Sequence, residues 1–242
     1  MKRKPVPASP VPARGKGGNA DGPRAKPAGT GDPRPRGRPR GDAPDLRASL
    51  LDAAMTSYVR HGIAATTLRH IAGDAGVTPA LVHYYFDDAA GLRDAVIAER
   101  LMPVFVEIRD TVLGLPDASL RDVLAAFIDV ICAQIARHAW LPPLWIREVV
   151  SEGGSLRDLL VTRLAPQMAG VLAERFAREQ AAGRLNAALD PRLLMVSVIG
   201  LTLFPASGMP IWRQILDSDD LGIDDVRTHA LALLERGLEL PA

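Results

Sequence analysis

A chain of 242 residues has room for one large or two small domains, and a hydrophobic share of 48% with only 5% aromatics requires Leu, Ala, Val and Ile to build most of its core, which favours helices packed on helices. The single cysteine, Cys132, excludes a disulfide framework and a thiolate zinc site, and it fits a reducing cytoplasm. The net charge of +1 hides a segregation: residues 1–40 hold 11 Lys and Arg against 2 Asp, a net of +9, whereas the remainder holds 18 Arg against 26 Asp and Glu, a net of −8.

Residues 1–40 are rich in Pro, Gly, Ala and basic side chains and nearly empty of large apolar ones. They cannot bury enough surface to offset the entropy of ordering, so a disordered basic arm is expected over residues 1–41. No apolar run of about 7 to 15 residues follows the leading charges, and a secretory signal is not expected. The arm ends in Pro35-Arg36-Gly37-Arg38-Pro39-Arg40, which resembles the AT-hook core Arg-Gly-Arg-Pro. That resemblance implies Arg36, Arg38 and Arg40 lying in the minor groove of A·T-rich DNA, where the narrow groove's negative potential attracts Arg. A solvated basic linker making loose phosphate contacts is the other reading. In both, the arm adds salt-dependent affinity to whatever the following segment binds.

The first helix is expected over residues 44–61, with Leu46, Leu50, Ala53, Ala54 and Ser57 or Tyr58 on one stripe and Gly62 as its C-terminal cap. Residues 66–86, TTLRHIAGDAGVTPALVHYYF, then read as two short helices joined by a tight turn. Leu68, Ile71 and Ala72 share a face, Ala75-Gly76-Val77 breaks the pattern, and Leu81, Val82 and Tyr85 resume it. Thr66 or Thr67 is placed to cap the first of the pair and Thr78 the second, with Pro79 at a first-turn position where its missing N–H costs nothing. This is a helix-turn-helix pattern.

The segment resembles the TetR family of transcriptional regulators. The resemblance rests on Tyr58-Val59-Arg60-His61-Gly62, Thr66-Thr67, Ile71-Ala72, Ala75-Gly76-Val77-Thr78, His83-Tyr84-Tyr85-Phe86, Leu92 and Val96. It implies an all-α protein: a three-helix DNA-binding head at residues 42–88, a helical ligand-binding and dimerisation body at residues 89–242, and a homodimer that places two recognition helices in successive major grooves of a palindromic operator. It also implies repression relieved by a small molecule. On the recognition helix, Thr78, Pro79, Ala80, His83 and Tyr84 are expected to face DNA. Thr78 and Tyr84 suit phosphates, His83 a phosphate or base edge, and Ala80 a thymine methyl. Thr66, Thr67 and Arg47 complete the expected DNA-facing set, while Tyr85 and Phe86 read as core. The family commonly carries Lys three residues beyond the Phe; here that position is Ala89, leaving Asp87 or Asp88 as a helix cap. The head is not basic, with Arg47, Arg60 and Arg69 against Asp42, Asp45, Asp52, Asp74, Asp87 and Asp88.

Beyond it, an amphipathic pattern runs over residues 89–113, interrupted by Pro103, where a kink is expected. Further helices are expected over residues 120–138, residues 144–151 after Pro142-Pro143, residues 156–182 ended by Gly183, residues 191–204, and residues 224–240. The run Leu-Leu-Met-Val-Ser-Val-Ile-Gly-Leu-Thr-Leu-Phe at residues 193–204 is shorter than the roughly 20 residues a membrane span needs. It and the last helix are therefore expected to form a dimer interface, and no membrane partner is expected.

For an effector site, Phe105, Phe127, Ile131, Trp140, Trp145 and Phe176 are the expected apolar lining and Arg147 a polar anchor, with Met168, Phe204, Trp212, His138 and Glu148 as further candidates. No cofactor, metal or catalytic constellation is expected: Gly153-Gly154-Ser155 lacks the strand-turn-helix context of a nucleophile elbow, and no glycine-rich phosphate loop with Lys occurs. The reading is a cytoplasmic, dimeric, ligand-responsive DNA-binding regulator acting as a repressor. The alternatives are an architectural A·T-preferring DNA binder and a ligand- or protein-binding module that has lost DNA recognition.

Overall fold

The computed structural model describes residues 46–238, all of it helices and connecting turns with no strand among the described residues. The basic arm, with Arg36, Arg38 and Arg40, lies outside them.

Helix α1 (Leu46–His61) buries Leu50, Ala54, Ser57 and Tyr58 of the expected stripe, and also Leu51 and Met55. The wider stripe lets it touch partners on two sides. It ends at Gly62, whose φ of +89° suits glycine and whose N–H donates to the Tyr58 carbonyl at 2.9 Å. Helix α2 (Leu68–Asp74) is capped by Thr67, whose hydroxyl accepts from the His70 N–H at 3.3 Å. Gly76, at φ +66°, makes the turn into α3 (Pro79–Phe86). Thr78 has the extended backbone of a cap, yet its hydroxyl makes no cap bond, contrary to expectation; Pro79 and the Leu81 N–H bond to the Thr78 carbonyl start the helix instead. Of the two Asp residues that follow, Asp88 is the cap of α4 (Ala89–Val96), accepting from the Gly91 N–H at 2.8 Å.

The interruption expected at Pro103 takes the form of a π-helical turn, Ile97–Leu101, between α4 and α5 (Met102–Leu113). Pro103 brings no N–H to the Glu99 carbonyl, and Arg100 Nη1 reaches that oxygen at 3.3 Å. Helix α6 (Leu120–Arg137) is the centre of the larger core and packs against α5, α10 (Leu194–Leu216) and α11 (Ile223–Leu238). It buries Val123, Leu124, Phe127, Ile128, Ile131 and Cys132, with Phe176 and Leu172 of α9 (Ala169–Ala181) closing the cluster. Burial pushes the Cys132 thiol up to about 11, so it sits there as a small apolar group.

Three expectations need correction. Pro142 and Pro143 do not precede a helix but open it: α7 is Leu141–Trp145, continued by a π turn at Ile146–Val150, because proline is tolerated where the first-turn N–H groups are unpaired anyway. The single helix expected over residues 156–182 is broken into α8 (Arg157–Leu159), a π turn at Leu160–Leu164, a 3-10 turn at Ala165–Gln167 and then α9, because Pro166 removes a donor. The apolar helix does not stop at residue 204. After a 3-10 turn at Pro191–Leu193 it continues through Pro205 and Pro210 to Leu216, and by length and composition it would suffice to cross a membrane. Its length therefore does not exclude a span, contrary to expectation, and the placement of its faces decides.

Phe176, with no exposed surface, should be a keystone of this core: Phe176→Ala is expected to cost about 3–5 kcal/mol of stability, read by urea unfolding of the full chain.

Candidate nucleic-acid interface and apolar cavity

Helix α3 turns two unlike faces outward and inward. Val82 and Phe86 are buried against α1 and α2, and Tyr85 is half-buried. Thr78, Pro79, Ala80, His83 and Tyr84 are all exposed, Tyr84 at 80%. This exposed phenol, in the last turn of a short helix, is braced by the Tyr85 ring, which meets it edge-on at 5.4 Å. His83 Nδ1 lies 2.6 Å from the Asp87 carbonyl, which can only accept, so that nitrogen carries the proton and Nε2 is left for another partner.

The other expected DNA-facing residues divide. Thr67 is exposed, its oxygen engaged as the α2 cap. Thr66 is not: it is buried, and its hydroxyl lies 2.7 Å from the Gly62 carbonyl and 3.4 Å from that of Ser57, so it secures the loop between α1 and α2. Arg47 makes a two-pronged pair with Glu99 at 2.5 and 2.6 Å and lies 5.2 Å from the centre of the Phe86 ring. The Arg47 guanidinium accordingly holds the Glu99 carboxyl below the usual carboxylate range. A shallow polar cleft is formed by His61, Arg69, His70, Gly73 and Asp74, with the two imidazoles 6.3 Å apart; the apolar spacing of α2 carries no signal of it.

A cavity of about 160 Å³ opens among α5, α6, α7, α8 and α10. Phe105, Phe127, Ile131, Trp140 and Trp145 line it, as does Met168. Every lining residue is apolar. Two expected residues are elsewhere: Phe176 is sealed in the core behind it, and Arg147 is exposed on the outer side of its π turn, near Val59 and Ser151. Phe204 is 70% exposed on the far face of α10, and the Trp212 indole N–H donates to the Pro205 carbonyl at 2.8 Å. Neither His138 nor Glu148 reaches the wall; burial, aided by Arg137, pushes the His138 pKa down. Twelve lining residues carry no signal of their role in the sequence; four of them, Leu101, Val149, Leu160 and Leu164, sit on π turns, which apolar periodicity does not signal, and the other eight, among them Val104, Ile199 and Leu203, have the spacing of ordinary core positions.

Residues 50–96 match the sequence model for bacterial regulatory proteins of the tetR family. Over 165 residues the chain is 30% identical to the HTH-type transcriptional regulator BetI of Burkholderia thailandensis, an alignment that spans 64% of this chain and 83% of that protein. Among solved structures, the fatty acid degradation regulator FadR from Bacillus halodurans shares the fold with a TM-score of 0.54 at 18% identity, over 82% of this chain and 98% of that one. NalD, the secondary repressor of the MexAB-OprM multidrug efflux pump in Pseudomonas aeruginosa, does so with a TM-score of 0.56 at 20% identity, over 80% and 96%.

An uncharged apolar fluorophore, N-phenyl-1-naphthylamine, is expected to bind the cavity. Filling that space with Ile131→Trp should weaken its binding at least about tenfold in a fluorescence titration while the helical circular dichroism persists.

Proposed function

The chain belongs to the tetR family of bacterial regulatory proteins, and on that premise we propose that it is a homodimeric repressor whose grip on a palindromic operator is relieved by a small uncharged apolar effector. It is a DNA-binding transcriptional regulator of the helix-turn-helix class. The observation that carries the proposal is the two-faced α3, whose outward side holds Thr78, Pro79, Ala80, His83 and Tyr84 together at the surface. In this reading Tyr84 and Thr78 meet phosphates, His83 Nε2 a phosphate or base edge, and Ala80 a thymine methyl. Thr67 lies at the margin of that surface. Arg47 acts from behind it, through its pair with Glu99.

Residues 42–88 are assigned the reading role and residues 89–242 ligand binding and dimerisation. The reading surface is poor in positive charge, so Arg36, Arg38 and Arg40 of the arm are assigned the salt-dependent share of affinity. With no charged group on the cavity wall among the described residues, an ionised ligand would shed its hydration without compensation, which favours an uncharged effector. Its place of action is the cytoplasm, with the DNA, and no catalytic role is assigned.

For the dimer, the faces of α10 are the supporting observation. Leu194, Val198 and Thr202 are buried toward the core, while Leu193, Val196, Phe204, Ile211 and Ile215 are exposed along the opposite side, with Leu233 of α11 also exposed. One face of this helix is thus already committed to its own chain, and a twofold partner presenting the same stripe would cover the other. That arrangement accounts for the helix better than a membrane span does.

Selection of genomic fragments by the full chain at physiological salt is expected to return a short inverted repeat; fragments without dyad symmetry would overturn the repressor reading. On the recovered site, Tyr84→Ala should weaken binding about tenfold, one to two kcal/mol, in a titration at fixed salt. Phe204→Asp should convert the dimer to a monomer in light scattering at micromolar concentration, and an unchanged mass would remove α10 from the interface.

A further inference from the structure

The geometry points to Glu148 as the positioning residue through which the cavity controls the reading helices, a role that rests on the ligand-relieved regulator reading above. Among the described residues Glu148 is the one charged side chain in the buried set, at 3% exposure. Its two oxygens are held from opposite directions. Oε1 accepts from the Ile63 backbone N–H at 2.9 Å, across 85 positions of sequence, and Oε2 accepts from the Ser155 N–H at 3.0 Å. Ile63 stands in the turn between α1 and α2, immediately after Gly62, where an added Cβ would come 3.2 Å from Oε1.

The Glu-Gly-Gly-Ser stretch at residues 152–155, which has no catalytic context, serves this carboxylate. The chain folds back so that the Leu156 N–H donates to the Glu148 carbonyl at 2.9 Å. A Cβ on Gly154 would lie 2.4 Å from that same carbonyl oxygen, so only glycine admits the return. The carboxylate is therefore fixed on one side by its own loop and offers its other oxygen to the turn before α2.

What makes this link responsive is where it stands. Glu148 lies in the π turn Ile146–Val150, and its neighbours Trp145 and Val149 are on the cavity wall. Leu144 and Leu156, which bracket the turn, line the cavity and also belong to the core shared with α1, α2 and α3. A π turn holds one residue more than an α-helical turn, so a modest displacement of Trp145 or Val149 re-registers the whole turn. Re-registering moves Oε1 off the Ile63 N–H, and a part-buried N–H that loses a charged acceptor favours a different loop position. Arg47–Glu99 and Arg100–Asp52 tie α1 to a second π turn, Ile97–Leu101. Glu148 holds the end of α1 that leads into the helix-turn-helix.

The test uses the full chain, the selected inverted repeat and N-phenyl-1-naphthylamine. In Glu148→Gln the amide keeps the shape but supplies one acceptor and one donor, so one backbone N–H loses its partner. Wild-type protein with saturating probe is expected to bind the repeat about tenfold more weakly than without it. E148Q should be about tenfold weaker without probe, and weakened no further by it, with probe affinity within about twofold of wild type. E148Q that responds to probe as fully as wild type would overturn the role of Glu148 while leaving the regulator reading intact. Failure of the wild type to bind any repeat would overturn the regulator reading itself. Amide exchange in wild type needs no variant: the Ile63 N–H should exchange faster when probe is bound while α6 amides do not, and an Ile63 rate unchanged by a probe that weakens repeat binding would also overturn it.

Discussion

Helices of seven and eight residues do not persist alone in water, because the cost of nucleating a helix is not recovered over so few bonds. Helices α2 and α3 are of this length, and they exist because Leu68, Ile71, Ala72, Val82 and Phe86 are buried against α1. The orientation of α3 is therefore a property of packing rather than of its own sequence. Since α1 is seated on Leu92, Val96, Leu144 and Leu156, that packing extends into the rest of the protein. Any change that shifts this seat shifts the outward residues of α3 with it.

The larger core behaves differently. Helix α6 is surrounded by close-packed Leu, Ile, Val and Phe, yet beside it lies an apolar space bounded by three wide turns. A close-packed core thus stands next to a wall of π turns, irregular turns of a kind that frequently occurs at functional sites. Two of those turns, Ile97–Leu101 and Ile146–Val150, carry carboxylates that bond to α1 or to the loop after it. The same turns carry Leu101 and Val149 on the cavity wall.

The first three helices were legible because their punctuation is local: Gly62, Thr67, Gly76 and Pro79 each act within a residue or two of where they stand. The outward set on α3 was legible for the same reason, being fixed by helical spacing against Val82 and Phe86. Thr66 was misjudged because either Thr could cap, and only the fold shows its hydroxyl turned toward Ser57 and Gly62. In the body, spacing separates buried from exposed but cannot separate core from cavity wall, which is why Phe127 and Phe176 looked alike. The prolines were legible as punctuation but not as to kind. Pro103 marks a π turn, Pro142 and Pro143 open a helix, Pro166 breaks one, and Pro205 and Pro210 are carried inside α10. Glu148 read as an anchor for a ligand, because its partners are backbone N–H groups that no sequence pattern displays.

On the function proposed above, occupancy of the apolar cavity governs symmetric contact with DNA. A nuclease footprint of the full chain on its selected site, with and without N-phenyl-1-naphthylamine, tests it most directly. Two protected half-sites about one helical turn apart, both lost when the probe is added, are the expected result. Protection without twofold symmetry, or a symmetric footprint that persists with the cavity filled, would contradict it.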